Sequence, residues 1–214
     1  MRKIVIILSV LTLITSSCKV LKNSATHEKG VVINGVKWAT RNVDEFGTFA
    51  KNPEDAGKLY QWNRKKAWNM TDEDAEDWDE SFPEGTEWAK ENCPCPKGWR
   101  VPTREELQKL VDAGSIITTH NGVKGRLFGS FPNQIFLPAA DRRDIRGGLT
   151  LSKFLYGQYW SSIGCDFLSA GALTFDIFYG RNEPCLDLDN GFRNVCAKLC
   201  YNNTNGISIR CVAE

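Results

Sequence analysis

The sequence predicts a single α+β domain with few helices, short antiparallel strands and long loops. Short apolar runs with a period of two recur along the chain, whereas only one segment has the spacing and the end signals of a helix. Turn-forming residues separate most of these segments. The chain has 214 residues, of which 42% are hydrophobic, so it can bury a core of ordinary size. We place the domain at residues 31–214.

The N-terminal thirty residues have the features of an export signal followed by a tether. Two basic residues precede an apolar run at residues 4–14, which is too short to span a bilayer stably. Small residues followed by Cys18 resemble a bacterial lipoprotein signal, in which cleavage exposes a cysteine for lipidation. We therefore predict a signal peptide at residues 1–17, lipidation of Cys18 and a polar tether at residues 18–30. An ordinary cleaved signal with an incidental cysteine is the alternative.

Export and charge limit the partners that the sequence favours. A lipid on Cys18 would attach the chain to a membrane surface without a transmembrane helix. Export also allows the other cysteines to be oxidised. The 27 Lys and Arg residues nearly balance the 26 Asp and Glu residues, which gives a net charge of +1. This balance removes the main electrostatic argument for a nucleic-acid partner.

The first predicted element of the domain is a β-hairpin at residues 31–39. Asn34 and Gly35 suit its type I′ turn, which needs a positive φ at both central residues. Residues 71–92 carry ten acidic side chains and one basic one. We interpret this segment as a solvated loop rather than a cation site, because it lacks the spacing of a calcium-binding loop. Its end, at residues 87–91, could form a short helix.

The clearest predicted helix begins after Thr103. Thr103 is a good N-cap, and Glu106 at the third helical position completes a capping box. Gly114 is a natural stop. One buried face is predicted for Leu107, Leu110 and Val111.

Strands are predicted for the rest of the domain. The segment at residues 173–179 alternates apolar and polar or aromatic side chains and therefore predicts a half-buried strand. Further short strands are predicted at residues 125–129, 134–137, 158–162 and 207–211.

Six short segments follow one another along the domain: residues 34–42 (NGVKWATRN), 56–63 (AGKLYQWN), 95–103 (CPKGWRVPT), 136–140 (FLPAA), 159–162 (YWSS) and 209–212 (IRCV). In this order they resemble the Fibrobacter succinogenes major paralogous domain, a family of exported proteins of Bacteroidetes and their relatives. That family is similar to the C-type lectin-like superfamily, so the resemblance implies a C-type lectin-like fold. In this fold an early cysteine bonds a cysteine of the final strand, which implies a disulfide between Cys95 and Cys211.

The cysteine count leaves one thiol over. Eight cysteines less a lipidated Cys18 leave seven, and five of these remain after the implied Cys95–Cys211 pair. We prefer further disulfides among Cys165, Cys185, Cys196 and Cys200, with Cys93 unpaired or bonded to a partner. A zinc site formed by Cys93, Cys95, Cys196 and Cys200 is disfavoured, because one residue between the first two is too few.

The sequence favours a non-catalytic protein. It contains two histidines and none of the common catalytic motifs, so an enzyme is supported by fold analogy alone. No cofactor or metal is predicted. A calcium site is kept as a hypothesis on the one cluster of suitable ligands in the elaborated loop, although the calcium signatures of lectins are not intact there: Glu183, Asp187, Asp189 and Asn190.

The expected function is ligand binding at the bacterial cell envelope, with the chain attached to the outer membrane through its lipid. The ligand could be a glycan or a protein, and a structural or accessory subunit of an envelope assembly is the alternative. The first loops to test are residues 139–146 and 181–194, although a solvated loop is the simpler interpretation of the former. The candidate residues in the former loop are Asp141, Arg142, Arg143 and Asp144.

The tryptophans divide into two groups. The core is predicted to contain Trp38, Trp99 and Trp160. The better ligand candidates are Trp62, Trp68 and Trp78, although a core position is still favoured for Trp62.

Overall fold

The structure is a computed structural model that describes residues 28–70, 75–150, 155–177, 185–187, 191–193 and 195–214. For residues 185–187 and 191–193 it describes the backbone alone. The predicted signal peptide, Cys18 and most of the tether lie outside the described residues. So do Glu183, Asp189 and Asn190, together with the side chains of Cys185 and Asp187.

The described residues form a mostly antiparallel β structure with one α-helix and one 3₁₀ helix, which confirms the α+β class. No helix in these ranges is long and apolar enough to cross a bilayer. The helices are α1 (Arg104–Asp112) and a 3₁₀ turn (Lys90–Asn92). The strands are β1 (Val31–Ile33), β2 (Val36–Trp38), β3 (Leu59–Gln61), β4 (Ala67–Trp68), β5 (Trp99–Arg100), β6 (Ser115–His120), β7 (Val123–Ser130), β8 (Asn133–Pro138), β9 (Tyr156–Gly164), β10 (Ser169–Asp176), β11 (Cys185–Asp187), β12 (Gly191–Arg193), β13 (Val195–Asn202), β14 (Gly206–Ile207) and β15 (Val212–Ala213).

The strands form four small sheets and one separate hairpin. Their strand orders are β1-β2-β15-β5, β13-β10-β9, β14-β3-β4 and β6-β7-β8, with β11 and β12 as the hairpin. Strand β15 therefore joins the C-terminal segment to both the first hairpin and β5. This pairing places β5 at one edge of its sheet.

Local sequence signals give the predicted hairpin and helix. Asn34 and Gly35 have φ angles of 46° and 78°, as a type I′ turn requires, and they join β1 to β2. The hydroxyl of Thr103 accepts a hydrogen bond from the amide of Glu106 (3.3 Å), and the carboxylate of Glu106 accepts one from the amide of Thr103 (2.8 Å). Gly114, with a φ of 75°, follows the helix C-cap. The predicted hairpin turn, capping box and helix stop are confirmed.

Strand β10 differs from its prediction because it is buried on both faces. Leu173 and Phe175 pack into one hydrophobic cluster, and Ala170 and Ala172 of the other face pack into a second cluster. Thr174, on the face of the alanines, is only 1% exposed. For the described residues of this segment, 173–177, the half-buried prediction is wrong, since β10 lies between β9 and β13 and separates two parts of the core. Residues 178 and 179 lie outside the described residues.

The C-terminal segment is divided where a single strand is predicted. Strands β14 and β15 are separated by residues 208–211, and the Arg210 side chain between them is fully buried. Its guanidinium donates to the Asn42 side chain (2.9 Å) and to the carbonyls of Ala39 (3.2 Å) and Phe136 (3.1 Å). Burial lowers the pKa of Arg210 to about 10. This cation therefore links three parts of the fold from inside the core.

The described domain extends three residues beyond its predicted boundary. The side chain of Glu28 is 5% exposed and forms a 2.9 Å ion pair with Arg41. It also accepts hydrogen bonds from the amides of Gly30 (3.0 Å) and Thr40 (3.2 Å). Residues 28–30 are thus attached to the domain rather than being part of a free tether.

Candidate functional site

A cleft of about 820 Å³ opens beside β5. Its lining residues come from three segments, at residues 87–90, 93–103 and 162–163, together with Glu214. Residues 87–103 and 162–163 are far apart in sequence, and the sheet pairing of β5 with β15 brings Glu214 to the cleft. The cleft is the strongest candidate for a ligand site among the described residues, since most small-ligand sites are concave.

A turn and a sheet edge form one wall of the cleft. Gly98 has a φ of 84°, which closes the turn before β5, and the amide of Trp99 donates to the carbonyl of Pro96 (3.0 Å). The amide of Glu214 donates to the carbonyl of Gly98 (3.1 Å). The ring of Trp99 meets Phe49 edge-on at 5.7 Å. This wall is therefore held by main-chain and aromatic contacts.

A second wall of the cleft is built around Trp88. Its amide donates to the carbonyl of Ser162 (2.8 Å), and its indole donates to the carbonyl of Asn92 (3.0 Å). The amide of Ser162 donates in turn to the carbonyl of Pro102 (2.7 Å). Trp88 is 9% exposed, so the prediction of a solvated loop at residues 71–92 is wrong at this point. The predicted short helix is replaced by an isolated β-bridge between Glu87 and Ile163, followed by the 3₁₀ turn.

Cysteine chemistry at the cleft combines one disulfide with one free thiol. Cys95 is bonded to Cys211, the pair that the resemblance implies. Cys93 is a free, half-buried thiol that lines the same cleft. Elsewhere Cys165 is bonded to Cys200. Cys196 is also disulfide-bonded.

The charge of the cleft is mixed. Arg100 forms a bidentate pair with Glu106, with distances of 2.6 and 2.8 Å. The hydrogen bond from this pair raises the pKa of Arg100. Burial alone would raise the pKa of Glu106, but hydrogen bonds from Arg100 and the Thr103 amide lower it overall. Because Arg100 is neutralised by Glu106, the freely exposed charges are Glu87, Lys90, Lys97 and Glu214.

The loop at residues 139–146 is largely turned inward. Asp141 is 4% exposed and Arg143 is 2% exposed. The Arg143 guanidinium donates to the carbonyls of Gly147 (2.6 Å) and Asn69 (2.9 Å), and its amide donates to the carbonyl of Gly206 (2.9 Å). The simpler interpretation of a solvated loop is therefore wrong for these two residues, and neither presents its side chain on the surface.

The other two candidate residues of this loop have local roles. Asp144 accepts hydrogen bonds from the amides of Arg146 (2.8 Å) and Gly148 (3.1 Å) and so shapes its own turn. Arg142 donates to the side chain of Gln158 (3.1 Å) and lies 5.2 Å from the ring of Tyr201. A small pocket of about 140 Å³ adjoins Arg142.

The tryptophans mostly serve the core. Trp38 and Trp160 are fully buried, as predicted, whereas Trp99 is half-buried at the cleft. Trp62 is fully buried and Trp68 is 6% exposed, so neither offers a free ring to a ligand. Trp78 packs on Trp68 at 4.7 Å, and its indole donates to the carbonyl of Ile145 (3.2 Å). Trp88, which is not among the predicted ligand candidates, is the second tryptophan at the cleft.

The described part of the chain contains no group of three or more His, Cys, Asp or Glu side chains that could hold a metal ion. The calcium hypothesis rests on residues outside it. Comparisons with models of known protein families, with curated proteins and with solved structures found no match. The cleft itself has no counterpart among the predicted sites. The sequence signal for the cleft is the short spacing between Gly98 and Pro102, which leaves room for a very short strand.

Proposed function

We propose that this chain is a lipid-anchored binding module of the bacterial cell envelope and that its ligand binds in the cleft beside β5. The observation that carries the proposal is the cleft of about 820 Å³, whose two walls are held by main-chain hydrogen bonds. A site that is formed before the ligand arrives loses less conformational entropy on binding. The proposed fold is C-type lectin-like, and the proposed family is the one that the six sequence segments resemble.

The cellular location in this proposal is the outer membrane. Export and lipidation of Cys18 are supported by the N-terminal sequence, and disulfides in the folded domain are consistent with an oxidising compartment. Metabolic labelling with a palmitate analogue tests the lipid. We expect the wild-type chain in the membrane fraction with label, and the Cys18→Ala chain without label and released from that fraction. Label that persists in the variant would contradict lipidation at Cys18.

Ligand binding can be tested with the full chain and a chemical block. N-ethylmaleimide adds a bulky group to Cys93, which lines the cleft, and we expect it to abolish binding on glycan arrays or to envelope proteins. The Cys93→Ser variant is the matched control, because its binding should be the same with and without the reagent. Binding that is equally sensitive in this variant would place the ligand elsewhere. In this proposal the protein is non-catalytic and requires no cofactor.

A docking role in an envelope assembly is the second candidate. Two phenylalanines support it, because Phe131 is 88% exposed and Phe167 is 72% exposed, each in a turn between strands. Exposed aromatic side chains are enriched at protein interfaces. Capture of one stoichiometric envelope protein that is lost in the Phe131→Ser or Phe167→Ser variant, and unaffected by N-ethylmaleimide, would favour this role over the cleft.

A further inference from the structure

The edge of β5 on the side away from β15 belongs to no strand pair of the described residues. Strand β5 is the last strand of its sheet, and Arg100 pairs with Val212. The hydrogen bond from the amide of Glu214 to the carbonyl of Gly98 fixes the alternation of the antiparallel ladder. By this alternation Arg100 directs its amide and carbonyl toward β15. The residues on either side of Arg100 direct theirs away from β15.

Two main-chain groups on this edge make no hydrogen bond within the described part of the chain. The amide of Trp99 donates to the carbonyl of Pro96. The carbonyl of Trp99 accepts no hydrogen bond, and the amide of Val101 donates none, within the described residues. Both residues line the cleft. An acceptor on one residue and a donor two residues later are the groups that a β-bridge of either direction uses. In a parallel bridge one residue of the added strand bonds both groups, and in an antiparallel bridge two residues two positions apart bond one each.

We propose that the cleft binds an extended polypeptide segment of an envelope protein, which adds to β5 through a β-bridge opposite Arg100. Strand addition takes its affinity from main-chain hydrogen bonds and its specificity from pockets for alternate side chains. Trp88, Pro96 and Ile163 line the cleft, so they favour an apolar side chain on the residue of the polypeptide that enters it. This inference rests on the proposed function and names its ligand as a polypeptide rather than a glycan.

The probe is a phage-displayed library of random heptapeptides, selected on the full-length chain. Selected peptides are synthesised with a single N-methyl group at each position in turn, and their affinities are measured by fluorescence polarisation. We expect one position at which N-methylation weakens binding by about tenfold or more, because the carbonyl of Trp99 loses its donor. Methylation at the two adjacent positions should change the affinity by less than about threefold, since those amides face away from β5.

Alkylation of Cys93 distinguishes the possible failures. We expect N-ethylmaleimide to abolish peptide binding by the wild-type chain and to leave binding by the Cys93→Ser variant unchanged. Glycan binding that is blocked by alkylation, with no peptide selected, would overturn this inference and leave the proposed function intact. Selected peptides without an N-methyl-sensitive position, or with binding that survives alkylation, would also overturn it. No alkylation-sensitive ligand of either kind would contradict both proposals.

Discussion

Glu28 illustrates how one carboxylate can attach a chain terminus to a folded domain. Its side chain receives hydrogen bonds from Gly30, Thr40 and Arg41 although it is almost fully buried. Burial alone would raise the pKa of Glu28, but these hydrogen bonds outweigh it and hold the pKa below the ordinary value of 4.5. A carboxyl group whose pKa is lower in the folded chain stabilises the fold above its unfolded pKa. This stabilisation is lost as the pH falls through the folded-state pKa.

The Glu28→Gln variant tests this attachment. At pH 7 we expect it to lower the free energy of unfolding by about 1–3 kcal/mol, because charge-assisted hydrogen bonds are lost. The difference from wild type should shrink below pH 4.5, where the wild-type carboxylate also becomes protonated. Urea unfolding at several pH values measures this difference. Glu80→Gln, at an exposed carboxylate, is the control and should have little effect. A difference that is independent of pH would contradict the role of charge.

Arg210 is the corresponding case for a buried cation. Its guanidinium donates to one side-chain oxygen and two carbonyls, which belong to two separate segments at residues 39–42 and at Phe136. Arg210→Met should lower the free energy of unfolding by about 3 kcal/mol, since these acceptors lose their donors inside the core. Arg210→Lys keeps the charge with fewer donors and should lie between Met and wild type. Arg146→Met removes an exposed arginine and should stay within about 0.5 kcal/mol of wild type in the same urea series.

Elements with local signals are the ones that the sequence predicts well. The turn at Asn34 and the cap at Thr103 depend on residues within four positions, so their chemistry is visible in the sequence. The burial of β10 is different, because a strand between two neighbours has a core on each face. Its alternation is therefore between larger and smaller buried side chains rather than between buried and exposed ones. A pattern of period two alone does not distinguish these cases.

The helix cap gives a prediction at this scale. Thr103→Ala removes the hydroxyl that accepts a hydrogen bond from the amide of Glu106. We expect it to lower the free energy of unfolding by about 1 kcal/mol. Thr103→Ser keeps the oxygen and should stay within a few tenths of a kcal/mol of wild type. Thermal unfolding monitored by circular dichroism compares the three chains. Equal losses in the two variants would show that the methyl group rather than the cap matters.

Contacts between distant segments explain what the sequence does not predict for the whole molecule. Arg143 is buried by two residues that lie more than sixty positions away in the sequence. The carbonyl of Asn69 accepts a hydrogen bond from its guanidinium, and the carbonyl of Gly206 accepts one from its amide. The walls of the cleft likewise meet through a long-range contact, because the amide of Ser162 donates to the carbonyl of Pro102, sixty residues away. Local polarity predicts an exposed loop at residues 139–146. The cleft, by contrast, lies beside residues 93–103, where local features predict a core position for Trp99.

The two described disulfides allow a prediction for the whole fold. Cys95–Cys211 spans 116 residues of sequence, and Cys165–Cys200 spans 35. The lost entropy of the unfolded chain predicts stabilisation by about 5 kcal/mol for the longer loop and about 4 kcal/mol for the shorter one. We expect Cys95→Ala/Cys211→Ala to unfold at lower urea concentration than Cys165→Ala/Cys200→Ala under non-reducing conditions.

The position of each disulfide gives the same pair of variants a second readout. Cys95 lines the cleft and Cys211 accepts the amide of Ala39, so their bond joins the cleft to the sheet that carries β5. Cys165–Cys200 lies outside the cleft lining. In dilute urea, where both variants are folded, only the first should lose ligand binding at the cleft. A loss of binding in both, or a reversed order of stability, would mean that the second disulfide holds the cleft as firmly as the first.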